Sequence, residues 1–353
     1  MLLMTPGPTR VPQRVLDAGA RPMIHHRSPE FARELATIVE LLPPVFGTKR
    51  PPLPVHTTGR GALEATICNL FSTGDEIVSC CNGKFGEMWA GFAESYGLIV
   101  HRFATDWTRD IDLAELEDAF AEHPKIRAVT VAYTDSSTGV ANDIAAVARI
   151  ADKHGALTLV DGVSSIGGMP FEMDAWGVDV AVTASQKCLM SSPGMSFAVL
   201  SERAKAAAKT ARLPRNYFDL IAVEDIITKP KPETPGTTPV HLALQIAEAL
   251  RMIHEEGLNN VFHRHADMSA LARRRAKDLG FSLQCSGFAR QSATMTALSH
   301  SAPSTVRDAL KARGILTAAG LGRFATEGFR IGHMGDIRLA DLNRTLDALA
   351  VAA

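Results

Sequence analysis

The chain has 353 residues, room for about two domains at roughly 150 residues each. Its 46% hydrophobic and 21% charged residues suit a folded chain with a sizeable core. With 37 basic against 38 acidic residues the net charge is −1, which excludes the usual electrostatic signature of a nucleic-acid or membrane-surface partner. No apolar run approaches the ~18 residues of a membrane helix, and the opening MLLMTPGPTR lacks the basic region and long apolar stretch of a secretory signal. The cysteines (68, 80, 81, 188, 285) have no zinc spacing. An odd, scattered set is expected to be reduced thiols in a cytoplasmic protein, with no metal centre.

From about residue 55 to 200, helix-like and strand-like segments alternate. GALEATICNLF has helical spacing and EIVSC is a short strand; GEMWAGFAESYG is helical and LIVHRF extended. DLAELEDAFAEH is a helix, with Asp112 near its start and His123 near its end. IRAVTVAY is a buried strand, DIAAVARIADKHG a helix closed by Gly155, and ALTLVD, DVAVTA and MSFAVLS are further strands. Short apolar strands separated by amphipathic helices predict a mostly parallel sheet covered on both faces. Between 212 and 238, RLPRNYFDLI and KPKPETPGTTP show no clear period and predict an extended excursion. A long helix is expected from Val240 to Glu256 and another after Gly257, then SATMTAL, a helix at 303–313 and a short strand near Phe329–Ile331. This looser order predicts a smaller α+β domain, giving a division into 1–255 and 256–353.

Three stretches carry candidate chemistry. TTGRGALEA (57–65) leads small and hydroxyl residues into a helix, whose unpaired N–H groups and positive dipole end can hold a phosphate or simply form a flexible helix start. In TLVDGVSSIGG (158–168), Asp161 ends a buried strand, where open α/β sheets place their ligands; it is either a cap or the partner of a cationic ligand atom. One helical segment and one strand later, TASQKCLMSSPG (183–194) brings Lys187. This lysine is an ordinary loop residue or a buried amine kept for chemistry. Two adjacent parallel strands would present acid and amine at one sheet edge. With a phosphate cradle upstream, that constellation suits pyridoxal phosphate: a carboxylate on the pyridine nitrogen and a lysine forming the Schiff base.

The chain resembles the class-V, fold-type I pyridoxal-phosphate aminotransferases of the alanine/serine–glyoxylate group. The resemblance rests on TPGPTRVP (5–12), HHRSPEF (25–31), TGRGALEA (58–65), GKFG (83–86), DSSTGV (135–140), VDGVSSIGG (160–168), SQKCLMSSPG (185–194) and FRIGHMG (329–335), in that order along nearly the whole chain. It implies an α/β fold with a mostly parallel seven-stranded-type sheet between helices and a smaller C-terminal α+β domain. It also implies a homodimer with composite active sites.

The roles it implies fall on particular residues. Lys187 forms the aldimine and shuttles the α-proton, and Asp161 pairs with the pyridine nitrogen. Thr58, Gly59 and Arg60 meet the phosphate, although the family more often has Thr or His where Arg60 stands. Phe85 stacks on the ring, Val163 packs beneath it, Ser136 gives a hydroxyl contact and Gln186 lies on the phosphate side. Thr237 reaches the phosphate from the other subunit. Arg330 clamps the substrate carboxylate, with Gly7 and His26 on the substrate side. The activity implied is transfer of an amino group from a small amino acid such as alanine or serine to a 2-oxo acid such as glyoxylate or pyruvate. Alternatives within the fold are an enzyme for 2-aminoethylphosphonate, ureidoglycine, pyridoxamine or aspartate, or a lyase or desulfurase, for which Cys285 is the one candidate thiol. A nucleotide-binding dehydrogenase lacks its GxGxxG motif here, and a regulatory protein lacks a DNA-binding domain. HRHAD (263–267) puts His263 and Asp267 four apart on a helix with His265 pointing elsewhere, which predicts a solvated face and not a metal cluster.

Overall fold

The computed structural model describes residues 1–284 and 286–352. Cys285 therefore lies outside the described residues. Seven strands form the large sheet in the order Leu53–Val55, Ser196–Leu200, Val180–Ala184, Leu157–Asp161, Ile126–Ala132, Glu76–Cys80 and Ile99–Phe103. The last five are parallel to one another, and Ser196–Leu200 is antiparallel to both its neighbours. Every residue of Leu157–Asp161, Val180–Ala184 and Ser196–Leu200 is buried. A strand buried on both faces reads as a continuous apolar run, as these three do in the sequence. Helices Gly59–Leu70, Lys84–Ser95 and Ile144–Lys153 pack on the sheet, and Phe31, Trp89, Phe120 and Phe197 fill the core between them. Among the described residues no helix is long and apolar enough to cross a membrane.

A second core surrounds an antiparallel sheet of Ser282–Leu283, Met295–Ser299, Gly328–Gly332 and Ala318–Ala319. Phe281, Leu298, Phe329 and Leu346 are buried in it. It also takes in Leu2 and Met4, so residues beyond the stretch 256–353 contribute to it. Leu2–Leu3 pairs in parallel with Ile315–Leu316, and the N–H of Gly332 donates to the carbonyl of Met4 at 2.8 Å. The chain's first residues thus join the C-terminal half before running back to the large sheet.

The excursion 212–238 contains a helix, Leu220–Ile227, that the sequence reading did not anticipate. Asp219 caps it by accepting from the N–H groups of Ile221 and Ala222, and Leu220, Val223 and Ile227 form one buried face. Two turns are too few for that periodicity to stand out among flanking prolines. The helix Val240–Glu256 has the expected bounds. In Leu258–Asp278, His263 and Asp267 are exposed, whereas His265 is fully buried: its Nδ1 pairs with the carbonyl of Val261, and its Nε2 accepts from the N–H of Gly335. Burial holds His265 neutral, with its pKa pushed down to about 4.

Candidate active site

Asp161 ends its strand in register with Val182 of the neighbouring parallel strand, so the acid and the loop carrying Lys187 leave the sheet at the same, carboxyl-terminal edge. That loop is tied to itself: the Ser185 hydroxyl donates to the carbonyl of Ser192 at 2.7 Å, and the Ser191 N–H to that of Ser185 at 2.9 Å. It is tied equally to the N-terminal segment. Thr9 donates its N–H to the carbonyl of Gln186 and its hydroxyl to that of Lys187, both at 3.0 Å. Lys187 Nζ in turn donates to the carbonyl of Pro6. Gly7 lies so close that a Cβ there would stand 2.6 Å from Nζ. Only glycine leaves room for the amine at this point.

A cavity of about 230 Å³ opens between these elements. Thr58, Gly59, Arg60, Phe85, Asp161, Val163, Gln186 and Lys187 all line it, so eight of the residues singled out in the sequence come together. Thr58 stands at the N-cap of Gly59–Leu70 without a side-chain cap bond. Among the described residues the N–H groups of Gly59 and Arg60 find no acceptor. Such a helix start is an anion site by its own geometry. A Cβ on Gly59 would meet Val163 at 2.7 Å, which explains the glycine as a close approach of helix and loop. The Arg60 guanidinium does not complete the cradle: it is exposed and lies over the Phe92 ring at 5.6 Å.

Burial dominates the electrostatics. Desolvation lowers the Lys187 pKa from 10.5 to about 8, helped by the nearby positive charge of Arg330 and opposed by Asp161. Desolvation raises Asp161 to about 6, against the N–H of Val163, which donates to its Oδ1 at 2.9 Å. A half-buried amine that sheds its proton readily thus shares a cavity with a carboxyl group that would gain from a cationic partner. The buried Oε1 of Gln186 on the same wall has no hydrogen-bond partner among the described residues. Open N–H groups, an unpartnered amide oxygen, an amine and a carboxylate around one cavity fit pyridoxal phosphate, which carries an anion, an aldehyde and a basic ring nitrogen.

Arg330 lies on Gly328–Gly332 and donates through Nε to the carbonyl of Ala319 at 2.8 Å and through Nη1 to that of Ser136 at 2.9 Å. Burial lowers its pKa to about 10, with Asp135 pulling the other way, so it stays charged near neutrality. Ser136 meets Arg330 through its backbone and is itself buried. Two residues fall elsewhere. Thr237 is exposed on a separate cavity of about 320 Å³ beside His56 and Tyr217. The His26 ring lies tilted against that of His25, centroids 4.5 Å apart and planes at 37°, outside the residues that line the Lys187 cavity.

Asp135, the first residue of DSSTGV, is a further residue that shapes the site. It is fully buried and accepts from the N–H groups of Phe85 (2.8 Å), Gly86 (3.2 Å) and Ser137 (3.0 Å) and from the Ser137 hydroxyl (2.6 Å). It fixes the backbone that presents Phe85. The legible signal was an acid followed two residues on by a hydroxyl residue at a strand end, the pattern of a turn closed by a side chain. Leu63, Met88, Thr134 and Ser164 also line the cavity, without a sequence signal of their own.

Known proteins resemble this chain in sequence and fold. The chain matches the family described as aminotransferase class-V over residues 1–326. It is 36% identical over 345 residues to an L-aspartate–glyoxylate aminotransferase of Paracoccus denitrificans, covering 95% of this chain and 86% of that protein. It is also 36% identical over 358 residues to a Synechococcus protein named soluble hydrogenase, small subunit, covering 99% of this chain and 91% of that one. The crystal structure of an alanine–glyoxylate aminotransferase from Nostoc superposes with a TM-score of 0.92 at 31% identity, covering 99% and 94% of the two chains.

Proposed function

Because this chain belongs to the class-V aminotransferases, which work with pyridoxal phosphate, we propose that it moves the amino group of a small amino acid, alanine or serine, to a 2-oxo acid, glyoxylate or pyruvate. The observation that carries the reading is Lys187 facing Asp161 across one cavity, with Arg330 beside them. Two relatives with different donors in their names share glyoxylate as acceptor, which supports that acceptor here. A panel of amino donors against glyoxylate and pyruvate, read by product formation, tests it. Turnover of neither acceptor with any small donor would overturn it.

The bound cofactor supplies an electron sink for the carbanion formed at the substrate α-carbon. The residues do the rest. Lys187 would hold the cofactor aldehyde through Nζ, and its amine would take and return the α-proton. Asp161 would offer a charged acceptor to the protonated ring nitrogen. Gly59, Arg60 and Thr58 would offer backbone and hydroxyl donors to the phosphate, with Gln186 on the phosphate side. Phe85 and Val163 would pack against the ring. Ser136 supports the clamp, and Arg330 grips the substrate carboxylate, for which its Nη2 is free of protein partners among the described residues. Gly7, packed against Lys187, belongs in this reading to the substrate side, as does His26, although it lies outside the residues that line the cavity of its own Lys187.

Arg330→Lys keeps the charge but loses the planar fork. The substrate KM is expected to rise about tenfold, the value of one charge-assisted bond of roughly 1.5 kcal/mol, with cofactor occupancy unchanged. Loss of cofactor with a fixed KM would remove Arg330 from the substrate side.

The reading includes a homodimer with shared sites, a division near residues 255/256 and a reducing, cytoplasmic compartment. The last is supported by buried free thiols at Cys68, Cys80, Cys81 and Cys188. The dimer is supported by Thr237, exposed on the proline-rich segment and outside the cavity of its own Lys187. In this reading its hydroxyl serves the phosphate of the neighbouring subunit. Thr237→Val should weaken cofactor binding about ten- to hundredfold, for one charge-assisted bond of roughly 1.5–3 kcal/mol. Mixing Thr237→Val with Lys187→Ala chains should restore activity, since one site of a mixed dimer then has both native residues. No restoration despite proven subunit exchange would remove Thr237 from the neighbour's site.

A further inference from the structure

The outer strands of the large sheet carry a second cluster of ligand-type side chains, formed by none of the residues around Lys187. Glu76 opens the strand Glu76–Cys80, and His101 lies on the adjacent edge strand Ile99–Phe103. Glu76 is in register with Ile99, two residues before His101, so the two side chains share one face of the sheet. His123, the C-cap of helix Leu113–Glu122, comes to the same place. His101 Nε2 and Glu76 Oε2 are 3.0 Å apart. The His101 and His123 rings stack with centroids 3.9 Å apart and planes at 27°. One ligand atom from each of the three residues lies within 4.8 Å of the other two.

Three features distinguish this group from an ordinary surface pair. Glu76 has His101 as its ion-pair partner and no lysine or arginine among the described residues, so its charge is not already matched by a fixed cation. The two imidazoles lie against each other beside that carboxylate, so two nitrogen donors and one oxygen donor converge on one point. The 3.0 Å between nitrogen and oxygen also suits a shared ion, since zinc bonds of roughly 2.0–2.2 Å in a tetrahedron place neighbouring donor atoms about 3.3 Å apart. His123 is partly exposed at a helix end, so a rotation of its side chain can bring its nitrogen to that spacing.

We propose that Glu76, His101 and His123 form a binding site for a zinc-type divalent ion, with water completing the tetrahedron. Two imidazoles and one carboxylate are borderline ligands, suited to Zn²⁺, Co²⁺ or Ni²⁺ and poorly to Mg²⁺ or Ca²⁺. The ion would join the edge strand to its neighbour and to the turn after a helix, and its binding energy would add to the stability of that corner of the sheet.

The test uses the cofactor-loaded enzyme, stripped with a chelator and titrated calorimetrically with ZnCl2. One Zn²⁺ per chain with micromolar or tighter affinity is expected, together with a melting temperature that rises with zinc. His123→Ala should weaken binding at least tenfold and abolish that rise while leaving transaminase turnover unchanged. Its partly exposed position at a helix end keeps the variant folded, so the test stands even if His101→Ala is unstable. Co²⁺ in place of zinc should develop the visible d–d absorption of a tetrahedral site, absent from His123→Ala. No binding up to millimolar zinc, or equal binding by wild type and His123→Ala, would overturn the proposal.

Discussion

Lys187→Ala is expected to abolish useful turnover, because it removes both the amine that holds the cofactor and the base that moves the α-proton. The base alone contributes roughly 10²–10⁴-fold, and loss of the covalent anchor adds to it. Borohydride should fix the cofactor to Lys187 in the wild type and to no residue in the variant, read by peptide mass. Near-normal activity in Lys187→Ala would refute the whole assignment. The amine's lowered pKa gives a second reading of the same residue. Condensation needs the neutral amine, so capture of pyridoxal phosphate by the stripped enzyme should accelerate with rising pH and level off above about 8. A lysine at its ordinary 10.5 would keep accelerating through pH 10, and that outcome would show Nζ to be solvated.

Asp161→Asn comes next in expected effect. Asparagine keeps the shape and can still accept from the Val163 N–H, so the fold should survive. It lacks the charge that holds the ring nitrogen protonated. A charge-assisted bond of roughly 1.5–3 kcal/mol corresponds to a drop in kcat of roughly 10- to 150-fold. The defect should appear in proton abstraction, as a larger isotope effect with α-deuterated substrate. A cofactor analogue methylated on the ring nitrogen carries its positive charge permanently and should narrow the gap between variant and wild type. Unchanged kcat in Asp161→Asn would make this residue a cap and nothing more.

Both residues were legible because each follows a short apolar strand, and parallel topology brings strand ends together without further information. The phosphate cradle was legible for a similar reason, small residues opening a helix. Arg330, Thr237 and Gly7 had no such local signal and were reached only through family resemblance. Asp135 went unassigned because its acceptors are filled by Phe85, Gly86 and Ser137, two of them some fifty residues upstream, a pairing that no window on the sequence contains. Leu220–Ile227 was too short for its period to be seen, and His265 turned inward because its partner, the N–H of Gly335, is seventy residues away. The cluster of Glu76, His101 and His123 has no local spacing at all; sheet register assembles it.

The run from Leu2 to Thr9 links the strand of Arg330 to the loop of Lys187. That strand is hydrogen-bonded through Gly332 to Met4, and two residues further on the carbonyl of Pro6 holds Lys187 Nζ. The guanidinium proposed to grip a substrate's carboxylate and the amine proposed to act at its α-carbon are therefore spaced by a few residues of continuous backbone. On the proposed reading this segment would serve as a gauge of the distance between carboxylate and α-carbon. An N-terminal tag added before Met1, whose side is open to solvent, leaves that link intact, whereas trimming the first five residues would remove the pairing with Ile315–Leu316 and the bond from Gly332 to Met4, leaving the Pro6 carbonyl beside Lys187 without its anchor.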